Sequence, residues 1–227
     1  MKLAVGDAVT KPNPLVLKKM EITIRPETGL LKVTESLLID NPTRTTYIGE
    51  PAGGGQAVTL VLSIPPEFER KTFEKEFFGR RFAAINNKVV TGIPWTPGRR
   101  ELKYTYILRN TKEATTWQRP LDLPCNDVTI RIEGKSSDEV RCPLLRRTEA
   151  DAKTVAYASA GQEIPAGRVL RVELGRLPLP WMAYSKWAAV AILLLLITGT
   201  LWLHFARRRP ATVEEPLNEH PQANRAA

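Results

Sequence analysis

The segment KKMEITIRPETGLLKVTESLLIDNP, residues 18–42, decides the fold class. Met20, Ile22 and Ile24 alternate with Lys19, Glu21, Thr23 and Arg25, and Leu31, Val33, Leu37 and Ile39 share one parity in the run that follows. Successive side chains of an extended chain point to opposite sides, so a period of two marks strands with one buried and one wet face. Asn41-Pro42 closes the second run with a turn, because proline has no N–H to give to a ladder.

The same alternation extends along most of the chain. Val58, Leu60, Leu62 and Ile64 make a third strand, stopped by Pro65 and Pro66. Phe82 to Val90 reads as a hairpin around Asn86-Asn87, since Asn accepts the positive φ of a tight two-residue turn. Pro97-Gly98 turns into a strand with Leu102, Tyr104, Tyr106 and Leu108 on one face and Lys103, Thr105 and Arg109 on the other. Val128, Ile130 and Ile132, followed by Val140 and Cys142, read as a hairpin with Ile132 opposite Val140 and Ile130 opposite Cys142. Leu170, Val172 and Leu174 end the series. Pro66 to Phe78, with Phe68, Phe73, Phe77 and Phe78 among alternating charges, is expected to be a short helix or an irregular excursion. About seven or eight short strands with little helical periodicity predict an all-β fold, an antiparallel β-sandwich over residues 15–176.

Beyond it the composition changes. Trp187 to Phe205 (WAAVAILLLLITGTLWLHF) contains no Asp, Glu, Lys or Arg. At about 1.5 Å per residue it reaches roughly 28 Å, the thickness of a bilayer's hydrocarbon core. Trp181, Tyr184 and Trp187 flank one end, Trp202 and Phe205 the other, and Arg207, Arg208 and Arg209 follow directly. A buried helix of a soluble protein needs neither aromatic belts nor a triple-Arg stop, so a transmembrane helix over 187–206 is expected. The layout becomes a lead-in at 1–14, the sandwich, a juxtamembrane linker at 177–186, the helix, and a short polar tail at 207–227. Positive-inside counting puts the Arg cluster in the cytoplasm and the domain in the periplasm or outside the cell. Met1 to Thr10 lacks the apolar core of a signal peptide. Either the true start lies upstream, with a signal and a further domain, or the domain is cytoplasmic and tail-anchored; the Arg cluster favours the first.

A strand ending in Asn-Pro (LLIDNP, 37–42), a later Pro-Gly and a Tyr-x-Tyr strand (PGRRELKYTY, 97–106) resemble immunoglobulin-like and fibronectin-like domains of bacterial envelope proteins. The same order resembles membrane-anchored envelope proteins in which such a domain follows a carboxypeptidase-regulatory-like module. The resemblance implies an immunoglobulin-like sandwich at the bacterial inner membrane, and it carries over no catalytic or binding residue.

The chemistry-bearing residues argue against an enzyme. The two histidines are His204, inside the apolar helix, and His220, in the tail, so the domain has none. That excludes a Ser-His or Cys-His nucleophile and a His-containing zinc or copper site there. No catalytic, cofactor-binding or metal residues are assigned, and no cofactor. Carboxylates such as Glu67, Glu69, Glu74, Glu76, Asp122, Asp127, Asp138 and Glu139 read as solvated strand faces; calcium at Asp122, Asp127 and Asp138 would lack a regular ligand spacing. Cys125 and Cys142 read either as a disulfide in an oxidising compartment or as two buried thiols. The formal charge of +9 suits anionic headgroups or an acidic partner, or is the wet faces of strands; no motif points to nucleic acid. Trp95 and Trp117, in the loop regions Pro94–Gly98 and Pro120–Pro124 or near them, are the candidate recognition edge. The expected function is a non-enzymatic, membrane-anchored envelope protein presenting a β-sandwich to a protein partner, with no small-molecule substrate. The alternative is a carbohydrate-binding module or a carboxylate-based hydrolase using Trp95 or Trp117.

Overall fold

Period-two alternation becomes strand in seventeen separate segments among the described residues before Pro180. The computed structural model describes residues 7–51, 55, 57–75, 82–151, 153–180 and 185–206. The strands described are β1 (Ala8–Val9), β2 (Val16–Glu27), β3 (Leu30–Asn41), β4 (Thr46–Tyr47), β5 (Glu50–Pro51), β6 (Ala57–Val58), β7 (Leu60–Ser63), β8 (Phe68–Lys75) and β9 (Ala83–Ile85). They continue with β10 (Lys88–Thr91), β11 (Gly98–Arg109), β12 (Thr115–Pro120), β13 (Val128–Glu133), β14 (Val140–Arg141), β15 (Arg146–Ala150), β16 (Thr154–Ala158) and β17 (Val169–Leu174). One helix, α1 (Ser185–Ala206), follows. The chain divides into two units, Met1–Pro180 and Trp181–Ala227.

A seven-stranded sheet in the order β15-β16-β13-β2-β3-β11-β8 carries the first unit. Its centre is the stretch that opened the sequence reading: β2 and β3 pair antiparallel from Val16↔Asp40 to Glu27↔Leu30. Two three-stranded sheets, β12-β17-β14 and β7-β10-β9, and two short pairs, β1-β4 and β5-β6, complete the described strands. Inward residues of the large sheet (Ile22, Ile24, Val33, Tyr104), of β12 and β17 (Trp117, Val172) and of β7 (Leu62) belong to one hydrophobic core. The outer face of the large sheet is mostly polar, with Leu38 and Ile107 among its charged and hydroxyl side chains. There Thr34 Oγ1 meets Thr105 Oγ1 across two strands at 2.9 Å.

Several expectations hold at the level of strands. Leu102, Tyr104, Tyr106 and Leu108 are buried on one parity of β11. The Asn86-Asn87 hairpin forms between β9 and β10, with φ of 47° and 61°.

Others are corrected. The expected pairing of Ile130 with Cys142 and Ile132 with Val140 does not occur. Both edges of β13 are taken, by β2 in parallel (Ile130↔Ile22) and by β16 (Ile130↔Tyr157). Val140 therefore goes to the other sheet, opposite Leu174 of β17. With its partners moved apart, the cysteine pair is not bridged. Cys125, held between Leu17 and Ile164 by isolated bridges, and Cys142 are both buried free thiols. The sheets are mixed rather than purely antiparallel, with β2–β13 and β1–β4 parallel. Pro66 to Phe78 is neither helix nor excursion over its described part: β8 is an edge strand on β11, with register shifts beside Tyr104 and Leu108. Such irregularities break the alternation that would have revealed the strand. Phe77, Phe78 and Glu76 lie outside the described residues.

The chain leaves the first unit pinned. Gly29 N donates to Pro178 O at 3.1 Å and Leu177 N to Glu113 O at 2.8 Å. The buried Lys135 ammonium donates to Arg176 O.

The second unit is described by α1 alone. Its segment Trp187–His204 is long and apolar enough to cross a membrane and is wholly exposed in the chain. A helix apolar on all sides belongs in lipid or in a core. Within it Thr198 Oγ1 donates to Leu194 O at 2.9 Å and Thr200 Oγ1 to Ile197 O at 2.8 Å, so neither hydroxyl demands water. Trp187 and Trp202 are exposed at its two ends. Trp181, Tyr184, Arg207, Arg208 and Arg209 lie outside the described residues.

Gly49 fixes the approach of β5 to β6. Its φ is +74°, and a Cβ there would sit 2.0 Å from Val58 O. Both the left-handed backbone and the contact reject a side chain. Gly49→Ala is expected to destabilise the domain by about 2 kcal/mol or more, read as a lowered urea midpoint at unchanged slope.

Candidate functional site

The two tryptophans expected to form an exposed edge are interior. Trp95 is fully buried. Its backbone exchanges hydrogen bonds with Tyr47, at 2.9 and 2.7 Å. The Arg100 guanidinium lies 5.1 Å from its ring and is itself held by Pro94 O and Thr96 Oγ1. Trp117 is 2 % exposed. Both therefore offer core volume rather than a contact surface, the usual fate of an aromatic whose strand neighbours alternate inward.

Trp117 leads to the most polar place in the core. Glu35 occupies an inward position of β3 directly opposite Tyr104 of β11. Its side chain and that of Arg119 on β12 are both 0 % exposed, with Arg119 Nε 2.7 Å from Glu35 Oε2. Tyr104 donates its hydroxyl to Glu35 Oε2 at 2.6 Å and Tyr106 donates to Oε1 at 2.9 Å. Tyr106 in turn accepts from Trp117 Nε1 at 3.1 Å, and Tyr104 accepts from Arg119 Nη2 at 3.3 Å. Arg119 Nη1 reaches Pro120 O and, at 3.2 Å, Asp122 Oδ2. Asp122 accepts from Ser63 N at 2.8 Å and from Ser63 Oγ at 2.6 Å. The network thus ties β3 and β11 of the large sheet to β12 and, through Asp122, to β7.

The surroundings hold the two phenols and the guanidinium in their protonated forms. Burial, reinforced by the Glu35 carboxylate, holds the Tyr104 and Tyr106 phenols well above their ordinary value near 10. Burial alone would depress Arg119, but Glu35, Tyr104 and Asp122 outweigh it and raise its pKa well above the usual range. A fixed cation, its counter-ion and two neutral phenols, closed off from solvent, form a structural clamp rather than an acid–base couple. Burial likewise pushes the Cys125 thiol up to about 11 and raises that of Cys142, so neither is an activated nucleophile.

The acids weighed for calcium are not brought together. Asp122 serves Arg119 and Ser63, whereas Asp138 accepts from Ser136 Oγ and pairs with Arg176 at 3.2 Å. No group of three or more His, Cys, Asp or Glu is placed to hold a metal among the described residues.

What the surface does offer is apolar. The three-stranded sheet β7-β10-β9 turns Leu60, Leu62 and Val89 into the core. Its opposite parity, where a soluble sheet is ordinarily polar, carries Val61 and Val90, both half-buried, and Ile85, which is 54 % exposed. With Pro51 and Val58 they line an open groove whose rim includes Glu50 and Lys88. The strand was legible in the sequence from Val58, Leu60, Leu62 and Ile64, a pattern that drew attention to the core side.

No family model and no curated protein matches the chain. Among solved structures, a variant of a two-domain M1 zinc metallopeptidase bound to L-tryptophan aligns with 72 % of this chain at 13 % identity and a TM-score of 0.40. The aligned part covers 43 % of that chain, so the present chain matches less than half of its length.

The clamp makes two predictions. Arg119→Met leaves the Glu35 carboxylate buried without its counter-ion and is expected to cost about 3–5 kcal/mol in urea unfolding; adding Glu35→Gln recovers part of the loss. Raised phenol values mean that the folded chain keeps protons that the unfolded chain gives up. Their contribution is intact below about pH 10 and is lost as pH rises through the folded values. In an alkaline titration, the last phenolate absorbance is expected to appear together with loss of near-ultraviolet circular dichroism.

Proposed function

We propose that this chain is a membrane-anchored, non-enzymatic envelope protein whose β domain, an immunoglobulin-like sandwich in type, presents a surface to a protein partner. The observation that carries the reading is the division of chemistry within the domain. The concentrated polar groups of the core are consumed in a closed clamp, while the outer face of β7-β10-β9 is left apolar. Recognition by a sheet face and its edges suits such a surface better than a pocket does. Burial of Trp95 and Trp117 takes the aromatic platforms away from the carbohydrate-binding alternative.

The location follows from α1 and the residues after it. The helix supplies the anchor, and the Arg207 to Arg209 cluster favours a cytoplasmic tail with the domain in the periplasm or outside the cell. The lipid bilayer is the first partner and an envelope protein the second. The chain is expected to resist carbonate extraction from bacterial membranes, and protease added to spheroplasts is expected to digest the domain while sparing a tag at Ala227. Protection of the domain with digestion of the tag would reverse the orientation.

A further inference from the structure

From the outer face of the three-stranded sheet we infer that two copies of this chain meet there, face to face about a two-fold axis, when both are anchored in one membrane; this rests on the anchored reading above. The strand register supplies the argument. Glu50 stands opposite Val58 on the β5–β6 pair, and Lys88 stands opposite Ser63 on the β7–β10 pair. Val58 belongs to β6 and Ser63 is the far end of the next strand, β7, with Thr59 between the two. The acidic and basic members of the groove therefore mark its two ends, with Val61 opposite Val90 between them.

A surface of this kind is complementary to itself. An isologous contact places a residue at one end of the patch against the residue at the other end in its mate. A two-fold axis passing near Val61 and Val90 sets Glu50 of each copy against Lys88 of the other, and lays apolar side chains on apolar side chains between them. The exposed pair of Glu50 with Lys11, at 2.9 Å, leaves Glu50 on the rim and adds a second cation beside it. Other faces lack this combination. The outer face of the large sheet carries Thr23, Thr34 and Ser36 at its centre, and its apolar members Leu38 and Ile107 stand opposite the charged Glu101 and Lys32.

Size explains why the anchor matters. Eight of the described residues line the groove, against roughly 20–30 a side in a stable interface between free proteins. Such a patch fails to hold two copies together in dilute solution. Tethering both to one bilayer raises their effective concentration towards the millimolar range and supports the contact.

The test uses the full chain reconstituted in lipid vesicles. Val61→Cys sits beside the axis and is expected to cross-link to itself with a short bis-maleimide, while Ser36→Cys on the large sheet does not; Cys125 and Cys142 are buried and stay silent. The dimer band from Val61→Cys should exceed that from Ser36→Cys by at least about tenfold and vanish when the vesicles are dissolved in excess detergent. In the Val61→Cys background, Glu50→Lys and Lys88→Glu should each lower the yield, and the two together should restore it. Equal cross-linking at both positions, failure of the double swap to restore the yield, or cross-links in native membranes to a different protein with none between copies would overturn the inference. Should the chain be extracted by carbonate, the anchored reading falls separately. The contact must then appear in solution at millimolar protein, and its absence there overturns the pairing as well.

Discussion

The ion pair between Glu35 and Arg119 is the constraint around which the domain is arranged. Two opposite charges with no access to water survive in a core only if every remaining donor and acceptor is met. Here the carboxylate takes three hydrogen bonds, from Arg119, Tyr104 and Tyr106, and the guanidinium spends its donors on Glu35, Tyr104, Pro120 and Asp122. The partners come from β3, β11, β12 and the residues just after β12. The distance between the large sheet and β12 is thereby fixed by bond lengths as well as by the packing of Leu and Ile.

Such a clamp specifies more than it stabilises. Well-packed apolar residues in its place would serve stability about as well, since the cost of removing two charges from water offsets much of their attraction. What the charges add is discrimination between registers. A slip of β3 by one residue would turn Glu35 outward and take from Arg119 its fully buried carboxylate. Long, nearly flat polar–apolar alternation, as in β2, β3 and β11, tolerates such slips unless something singular marks one pairing. Glu35 opposite Tyr104 is that mark.

Which parts could be read in the sequence follows from the same facts. Alternation showed β2, β3, β7, β10, β11, β13 and β17 because aliphatic residues occupy their inward positions. It passed over β12, whose inward pair is Trp117 and Arg119, since an arginine at a core position looks like a solvent face. Glu35 was equally hidden: it falls on the inward parity of Leu31, Val33, Leu37 and Ile39, and that exception within a regular run was the one available sign of the clamp. Partner choice was not legible at all. Apolar matching assigned Val140 to β13, but a strand flanked by β2 and β16 has no edge left, and only long-range topology decides that. Of the outward valines of the three-stranded sheet, Val61 falls between the residues of the core run Leu60, Leu62 and Ile64 and Val90 stands opposite it, so periodicity drew attention away from them.

The pinned exit of the first unit has a mechanical meaning. Tension applied at Pro180 loads first the bonds from Gly29 to Pro178 and from Leu177 to Glu113, then passes into β17. That strand is the middle one of its sheet, flanked by β12 along its whole length and by β14 at Leu174. Pulling along its axis strains the six residue pairs of the β12–β17 ladder together, in shear, instead of peeling them one at a time. β12 itself carries Arg119. A tug on the C-terminal end is resisted in series by the ladder and by the core ion pair, which gives the domain a stiff grip on whatever holds its tether.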